Sequence, residues 1–279
     1  MPPVQFSLII PTRNRCPSLM LVLRELELQR FPRERFEVVV VDDGSTDGTS
    51  EALGCLQLSY PLRPLRQEGR GTSAARNHAI QNARGSWCLF LDDDVLASPD
   101  LLTLHADAHR GQVRQVVRGP VINVPSPPEQ SPSQLWRHYS MNYFCTSNAS
   151  VRREHLFEAG LFDESLERLE DADLGLRLKR LGVKRTFLPE AYVHHLKPPV
   201  PLSQAAATRR ADGRSAARLL RRYPSFRMLL RSGLHPVNYA RSELLSLPWL
   251  DRIPGLKALV EAQRLDREYL RAGREELRR

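Results

Sequence analysis

The sequence has little cysteine. Four residues in 279, Cys16, Cys55, Cys88 and Cys145, are widely spaced and form no Cys-x-x-Cys pair. That spacing argues against a zinc site and a disulfide framework, and it fits a reducing compartment. No apolar run approaches the roughly 18 residues of a membrane span. The first residues, Met-Pro-Pro-Val-Gln, lack the basic start of a secretory signal, so the expected location is cytoplasmic. Internal repeats are absent. So is a Gly-rich, Lys-containing loop after the first strand-like run, where Pro11-Thr12-Arg13-Asn14 stands instead. That counts against a nucleotidyltransferase.

Hydrophobic residues make up 41% of the chain, enough for a sizeable core. The net charge of +9 is unevenly distributed: residues 201–279 hold 17 Lys+Arg and 8 Asp+Glu, while residues 1–200 hold 24 of each. A basic segment of this kind suits an anionic membrane surface, peripherally at its inner face. Arg209-Arg210, Arg218 and Arg221-Arg222 beside Leu219 and Leu220 suggest one basic and one apolar helical face. A solvated, arginine-rich face that simply packs on the rest of the protein is the plainer alternative. Nucleic acid is not the expected partner, because Tyr223, Phe226, Tyr239, Trp249 and Tyr269 are too scattered to form a stacking platform.

The first 120 residues alternate between strand and helix signals. Phe6 to Ile10, Phe36 to Val41 and Trp87 to Leu91 are apolar runs of the kind found in sheets covered on both faces. A further strand is expected over Val113 to Val117. Helical spacing appears over Pro17 to Arg30 and Gly71 to Ala83, and another helix begins at Pro99. This order implies an α/β fold with a largely parallel sheet. Pro120 to Ser133 is proline-rich and reads as a mobile loop. Helices follow over Arg153 to Ala159 and Leu166 to Leu181, then strands over Arg185 to Leu188 and Ala191 to His195. Pro198-Pro199-Val200-Pro201 reads as a linker or sharp stop. Helical segments follow at roughly 203–222, 238–246 and 256–278.

Ligands of parallel sheets bind beyond the carboxyl ends of the strands. Three such ends carry polar punctuation: Pro11-Thr12-Arg13-Asn14, Asp42-Asp43-Gly44-Ser45 and Asp92-Asp93-Asp94. Three adjacent carboxylates abutting a buried strand repel one another, so a positive partner is expected there. A divalent cation, Mg2+ or Mn2+, has the right affinity for carboxylate oxygen.

The runs SLIIPTRNR, VVVVDDGSTDGT, GTSAARNHAI, GSWCLFLDDDV, NASVRREHLFEAGLFDESL and EDADLGLRLKRLG, in that order over about residues 4 to 197, resemble glycosyltransferase family 2. The resemblance implies a GT-A catalytic domain over 1–200, followed by a basic helical extension over 201–279. It implies an inverting enzyme that moves a sugar from a nucleotide-diphosphate sugar, UDP-linked by expectation, to a hydroxyl of a glycan or lipid-linked acceptor. Polysaccharide, lipopolysaccharide or glycolipid synthesis is the expected setting.

Carried over residue by residue, Asp43 reads the base or ribose, with Pro11, Thr12 and Arg13 lining the pocket and Arg76 and Asn77 contacting base or phosphates. Asp92-Asp93-Asp94 match the DxD motif. Asp92 and Asp94 are its two acids and Asp93 faces the ribose, with the division among the three left open. His195, or alternatively His194, completes the metal site. Asp171 matches the general base, with Asp173 and Glu170 next in line; Glu170 and Asn148 fall on the acceptor side. Each motif also has an ordinary structural role: Asp42-Asp43 as a helix-capping turn, and Glu170 to Asp173 as acids favoured in a first helical turn. A protein that binds nucleotide sugars without catalysis is the alternative from another class.

Overall fold

The computed structural model describes residues 4–128, 143–197, 200–245 and 257–279. Among them are the strands β1 (Phe6–Thr12), β2 (Phe36–Asp43), β3 (Leu62–Gln67), β4 (Trp87–Phe90), β5 (Val95–Ala97), β6 (Gln115–Arg118), β7 (Val121–Val124), β8 (Ala149–Arg152), β9 (Lys184–Phe187) and β10 (Val193–Leu196). The helices are α1 (Cys16–Glu25), α2 (Thr49–Cys55), α3 (Thr72–Asn82), α4 (Leu101–Ala108), α5 (Arg153–Glu158), α6 (Glu170–Arg180), α7 (Leu202–Arg222), α8 (Phe226–Ser232), α9 (Pro236–Leu245) and α10 (Lys257–Arg278).

One compact unit comprises residues 1–164 and 170–198. Its main sheet has the order β3-β2-β1-β4-β8-β6-β9. The pairs β3-β2, β2-β1, β1-β4 and β6-β9 are parallel, and β8 runs antiparallel to both β4 and β6. Every residue of β1 and β2 is buried, because each face of these strands meets its own core. Phe6, Leu8, Ile10, Val38 and Val40 enter one apolar cluster with Leu19, Val22 and Leu23 of α1. Ile9, Val39 and Val41 enter another with Ala75, Ala79 and Ile80 of α3 and Leu174 and Leu178 of α6. This is the period-2 alternation of a strand, with both faces apolar.

A second, three-stranded sheet, β5-β10-β7, follows directly from the end of β4. Its centre, β10, pairs antiparallel with β5, placing His195 opposite Val95, and parallel with β7. The backbone closes tightly here: a Cβ on Gly119, between β6 and β7, would lie 1.6 Å from the carbonyl oxygen of Ala191. Only glycine fits that crossing.

Several expectations need correction. Residues 121–124 form β7 rather than loop and 125–128 are irregular, while 129–133 lie outside the described residues, as do Pro198, Pro199 and Trp249. The helix expected from Leu166 starts at Glu170, because Leu169 takes a left-handed φ of 62°. The acids of its first turn and the Arg177, Lys179 and Arg180 of its last complement the helix dipole.

The second unit comprises 165–169 and 199–279. In it α7 and α10 cross at glycines: a Cβ on Gly213 would come within 2.1 Å of the Tyr269 carbonyl oxygen, and one on Gly273 within 3.1 Å of the Gly213 oxygen. The two helices are laced by ion pairs, Arg209 with Asp266, Arg210 with Glu268 at 2.8 Å, and Arg218 with Glu276 at 3.0 Å. Arg168 pairs with Asp212 and Arg214 with Glu167. The arginines expected to form a free basic face at 209, 210 and 218 are therefore committed to internal partners. Among the described residues no helix is long and apolar enough to cross a membrane.

Candidate active site

The carboxyl ends of β1, β2 and β4 lie side by side, since β1 pairs with both of the others. They bring Thr12, Asp43 and the triple aspartate to one edge of the sheet. The triplet begins two residues after β4, where the chain leaves the main sheet for β5.

Each of the three aspartates has a different environment. Asp92 accepts from Arg76 Nη2 at 2.9 Å on Oδ1 and from Ser147 Oγ at 2.6 Å on Oδ2. Asp93 accepts from Thr12 Oγ1 at 2.7 Å, faces Arg15 Nε at 3.3 Å, and its backbone carbonyl accepts from Ser18 Oγ at 2.7 Å. Burial, with Asp94 and Asp92 nearby, pushes its carboxyl up to about 6 against the pull of Arg15 and Thr12. Asp94 accepts from Arg15 Nη2 at 2.7 Å on Oδ2, and its Oδ1 lies 3.1 Å from His195 Nε2. Burial raises its carboxyl, but His195 and Arg15 together hold it below the ordinary range. The positive partners of the triplet thus include two arginines of the chain itself, Arg15 and Arg76, where the sequence pattern points to a divalent cation.

A cation also fits. Ligand atoms of Asp92, Asp94 and His195 all lie within 4.8 Å of one another. Asp94 Oδ1 is buried with no aligned hydrogen-bond donor, a lone pair that a cation would satisfy. The two carboxylates supply the oxygen ligands that Mn2+ and Mg2+ take, and the imidazole favours Mn2+ of the two. His194 points elsewhere, as strand alternation requires: it packs edge-on against Tyr192 and is buried.

Asp43 is buried and fixed by three donors, Gln67 Nε2 at 2.7 Å, Arg70 N at 2.8 Å and Gly71 N at 2.9 Å. Asp42 is held by Ser45 N at 2.8 Å, by Arg66 at 3.1 Å and by Ser50. Burial opposes its ionisation, but the Ser45, Ser50 and Arg66 contacts keep its carboxyl below the ordinary range. Pro11 is buried in β1, and exposed Arg13 lies over Gly69.

Two residues expected to touch ligand are spent inside the fold. Asn77 clamps the loop after α5, donating to Phe162 O at 2.9 Å and Glu164 Oε1 at 3.0 Å and accepting from Phe162 N at 2.9 Å. Asn148 is fully buried, donating to Pro120 O at 3.1 Å and Ala191 O at 2.7 Å. It joins strand ends rather than facing the carboxylates. Arg76 is likewise nearly inaccessible, lodged between Asp92 and Glu170, whose Oε1 it reaches at 2.6 Å.

Asp171 is half-buried at the start of α6. Burial and neighbouring Glu170 push its carboxyl up to about 6. Asp173 is wholly buried and paired with Arg177 at 2.6 Å. Sequence reasoning missed Arg15 and Ser147. Arg15 sits in the same PTRNR run from which Arg13 was chosen, two residues too early; Ser147 carried no signal.

Residues 7–168 match the family described as Glycosyl transferase family 2. The chain belongs to that family. It is 30% identical to the uncharacterized glycosyltransferase YfnE of Bacillus subtilis (strain 168), over 63% of this chain and 61% of that protein. It is 29% identical to validoxylamine A glucosyltransferase of Streptomyces hygroscopicus subsp. jinggangensis, over 67% and 54%. The chain thus spans little more than half the length of these curated relatives. Among solved structures it is similar to Staphylococcus aureus TarS 1-349 in complex with UDP, with a TM-score of 0.59, 20% identity and coverage of 98% and 91%. It is also similar to the mannosyltransferase PcManGT of Pyrobaculum calidifontis in complex with GDP-Man and Mn2+, with a TM-score of 0.70, 20% identity and coverage of 99% and 88%. The family 2 chain therefore has the GT-A fold: a mixed α/β arrangement with a large, mostly parallel sheet flanked by helices.

Proposed function

We propose that this family 2 protein transfers a sugar, with inversion, from a UDP-linked donor to a hydroxyl of a glycan or lipid-linked acceptor. The observation that carries this reading is the convergence of Asp43, Asp92-Asp93-Asp94 and His195 at one sheet edge, with Glu170, the residue before Asp171, tied to Asp92 through Arg76. The nucleotide-diphosphate sugar is supported by the complexes of the TarS and PcManGT structures. A cell-envelope polymer as acceptor is supported by the name of TarS, a poly(ribitol-phosphate) beta-N-acetylglucosaminyltransferase, 38% identical over 36% of this chain.

In this reading Asp43 accepts from the base or ribose at the end of β2. Asp92, Asp94 and His195 would hold a divalent cation, which supplies neutralisation of charge on the leaving diphosphate. Asp171 takes the proton of the acceptor hydroxyl as that oxygen bonds to the anomeric carbon. The bond to the diphosphate breaks, and its electron pair leaves on the phosphate oxygen. One displacement inverts the centre, with no covalent enzyme intermediate.

Calorimetry of UDP and GDP in Mn2+ and in EDTA tests the reading. UDP is expected to bind tightly only with Mn2+, and Asp94→Ala to erase the difference between the two conditions. Equal UDP affinity in Mn2+ and EDTA removes the cation from the mechanism.

The reading also places the C-terminal unit at an anionic membrane surface. With Arg209, Arg210 and Arg218 paired internally, its support is the exposed apolar side chains of α8 and α9, Leu230 and Val237.

A further inference from the structure

Arg76 occupies an unusual position for a guanidinium. Its side chain is 4% exposed, and it forks between two carboxylates from distant parts of the chain, Asp92 at 2.9 Å through Nη2 and Glu170 at 2.6 Å through Nη1. Its Cζ lies 5.6 Å from the Phe162 ring centroid. A buried guanidinium is tolerated only when its charge is matched, and here one positive charge is divided between two carboxylates. Asp92 belongs to the candidate metal trio, and Glu170 immediately precedes Asp171.

We propose that Arg76 is a positioning residue that links the cation end of the site to the base end through a single shared guanidinium. The inference rests on the donor-and-base reading given above. Arg76 and Ser147 together hold both oxygens of Asp92, and so set the angle at which the remaining lone pairs meet a cation. The same guanidinium anchors the first residue of α6, and so fixes where Asp171 stands relative to Asp92. Because the charge is shared, the two ends are not independent. When Glu170 loses its charge, the full guanidinium charge falls on Asp92, and Asp92 becomes a poorer ligand.

The test is Mn2+ binding alone, by calorimetry on the full chain without donor or acceptor. Glu170→Gln alters none of the three candidate ligands. It is expected to weaken Mn2+ binding about tenfold, the lower end of what outer-shell partners contribute. Removing a nearby negative charge also weakens cation binding directly, so the measurement is repeated in an Arg76→Gln background. There, the loss on Glu170→Gln should shrink to the direct charge effect, well short of tenfold, because the shared group is gone. Arg76→Met, which also removes the charge, is a second background with the same expectation should Arg76→Gln fail to fold. An equal loss with and without Arg76 means direct charge attraction and overturns the proposal, as does an unchanged affinity in Glu170→Gln alone. A wild-type chain that binds no Mn2+ overturns the cation reading itself and this proposal with it.

Discussion

Asp171 stands next to one acid and two residues before another, and the three carboxylates are set apart by their partners. Asp173 is neutralised by Arg177, and Glu170 by Arg76. Asp171 accepts from the adjacent Ala172 N at 2.7 Å, and burial and Glu170 keep it near 6. A base poised there is deprotonated at neutral pH and still holds a proton well. Transfer is therefore expected to fall as pH drops through about 6, because a protonated carboxyl cannot accept the acceptor's proton. Asp171→Asn should lower turnover by about 10²–10⁴-fold with donor affinity nearly unchanged. A product assay paired with donor calorimetry checks both; near-wild-type turnover would move the base elsewhere. At this scale the acids themselves were legible, because carboxylates beyond an apolar strand stand out in one dimension. Their partners were not, since Arg15, Arg76 and Ser147 meet the triplet across 16 to 79 residues of chain.

The element with the clearest physical signature is α4. It docks through buried histidines: His105 Nδ1 and His109 Nε2 each lie 2.7 Å from Ser150 Oγ on β8, and the Trp87 ring stacks on His109 at 3.5 Å. Burial pushes His105 down to about 4, and burial plus neighbouring His105 pushes His109 down to about 3. Both are neutral when folded, while unfolded histidine titrates near 6.5, so the unfolded chain binds more protons in between. Stability is then fully present above about pH 6.5 and declines as pH falls toward the folded values, by about 2 kcal/mol per histidine between pH 7 and 5. Urea unfolding at the two pH values measures this. His109→Gln should flatten the slope, and an equally steep slope in that variant would refute the assignment. The strand that receives these histidines, β8, was not expected. Its four residues run Ala-Ser-Val-Arg, and their polar Ser150 is explained only by the histidines that face it.

For the molecule as a whole, the basic C-terminal unit asks for a vesicle experiment. With Arg209, Arg210 and Arg218 of α7 held by acids of α10, apolar exposure on α8 and α9 becomes the expected contact. The full chain should sediment with anionic vesicles at low salt. Val237→Asp with Leu230→Asp should release it, because an interfacial face depends on buried apolar area as well as charge. Arg209→Gln should not, since that arginine is committed to Asp266. A chain that ignores anionic vesicles at low ionic strength has an extension with a structural role only.

What the sequence by itself determined was order and period. Continuous apolar runs separated by helical spacing dictate parallel strands with two buried faces, and acids at strand ends dictate a site at the carboxyl edge. Those are local properties, written in neighbouring residues. Only the tertiary structure decided which polar groups meet. It placed His195 beside Asp94 through the pairing of β10 with β5, a three-residue strand too short to announce itself. It turned Asn77 and Asn148 inward as clamps, and it paired Arg209, Arg210 and Arg218 of α7 with acids of α10. Ion pairs and hydrogen bonds act over a few ångströms in space with no fixed spacing along the chain, so a linear pattern carries no record of them until the backbone has folded.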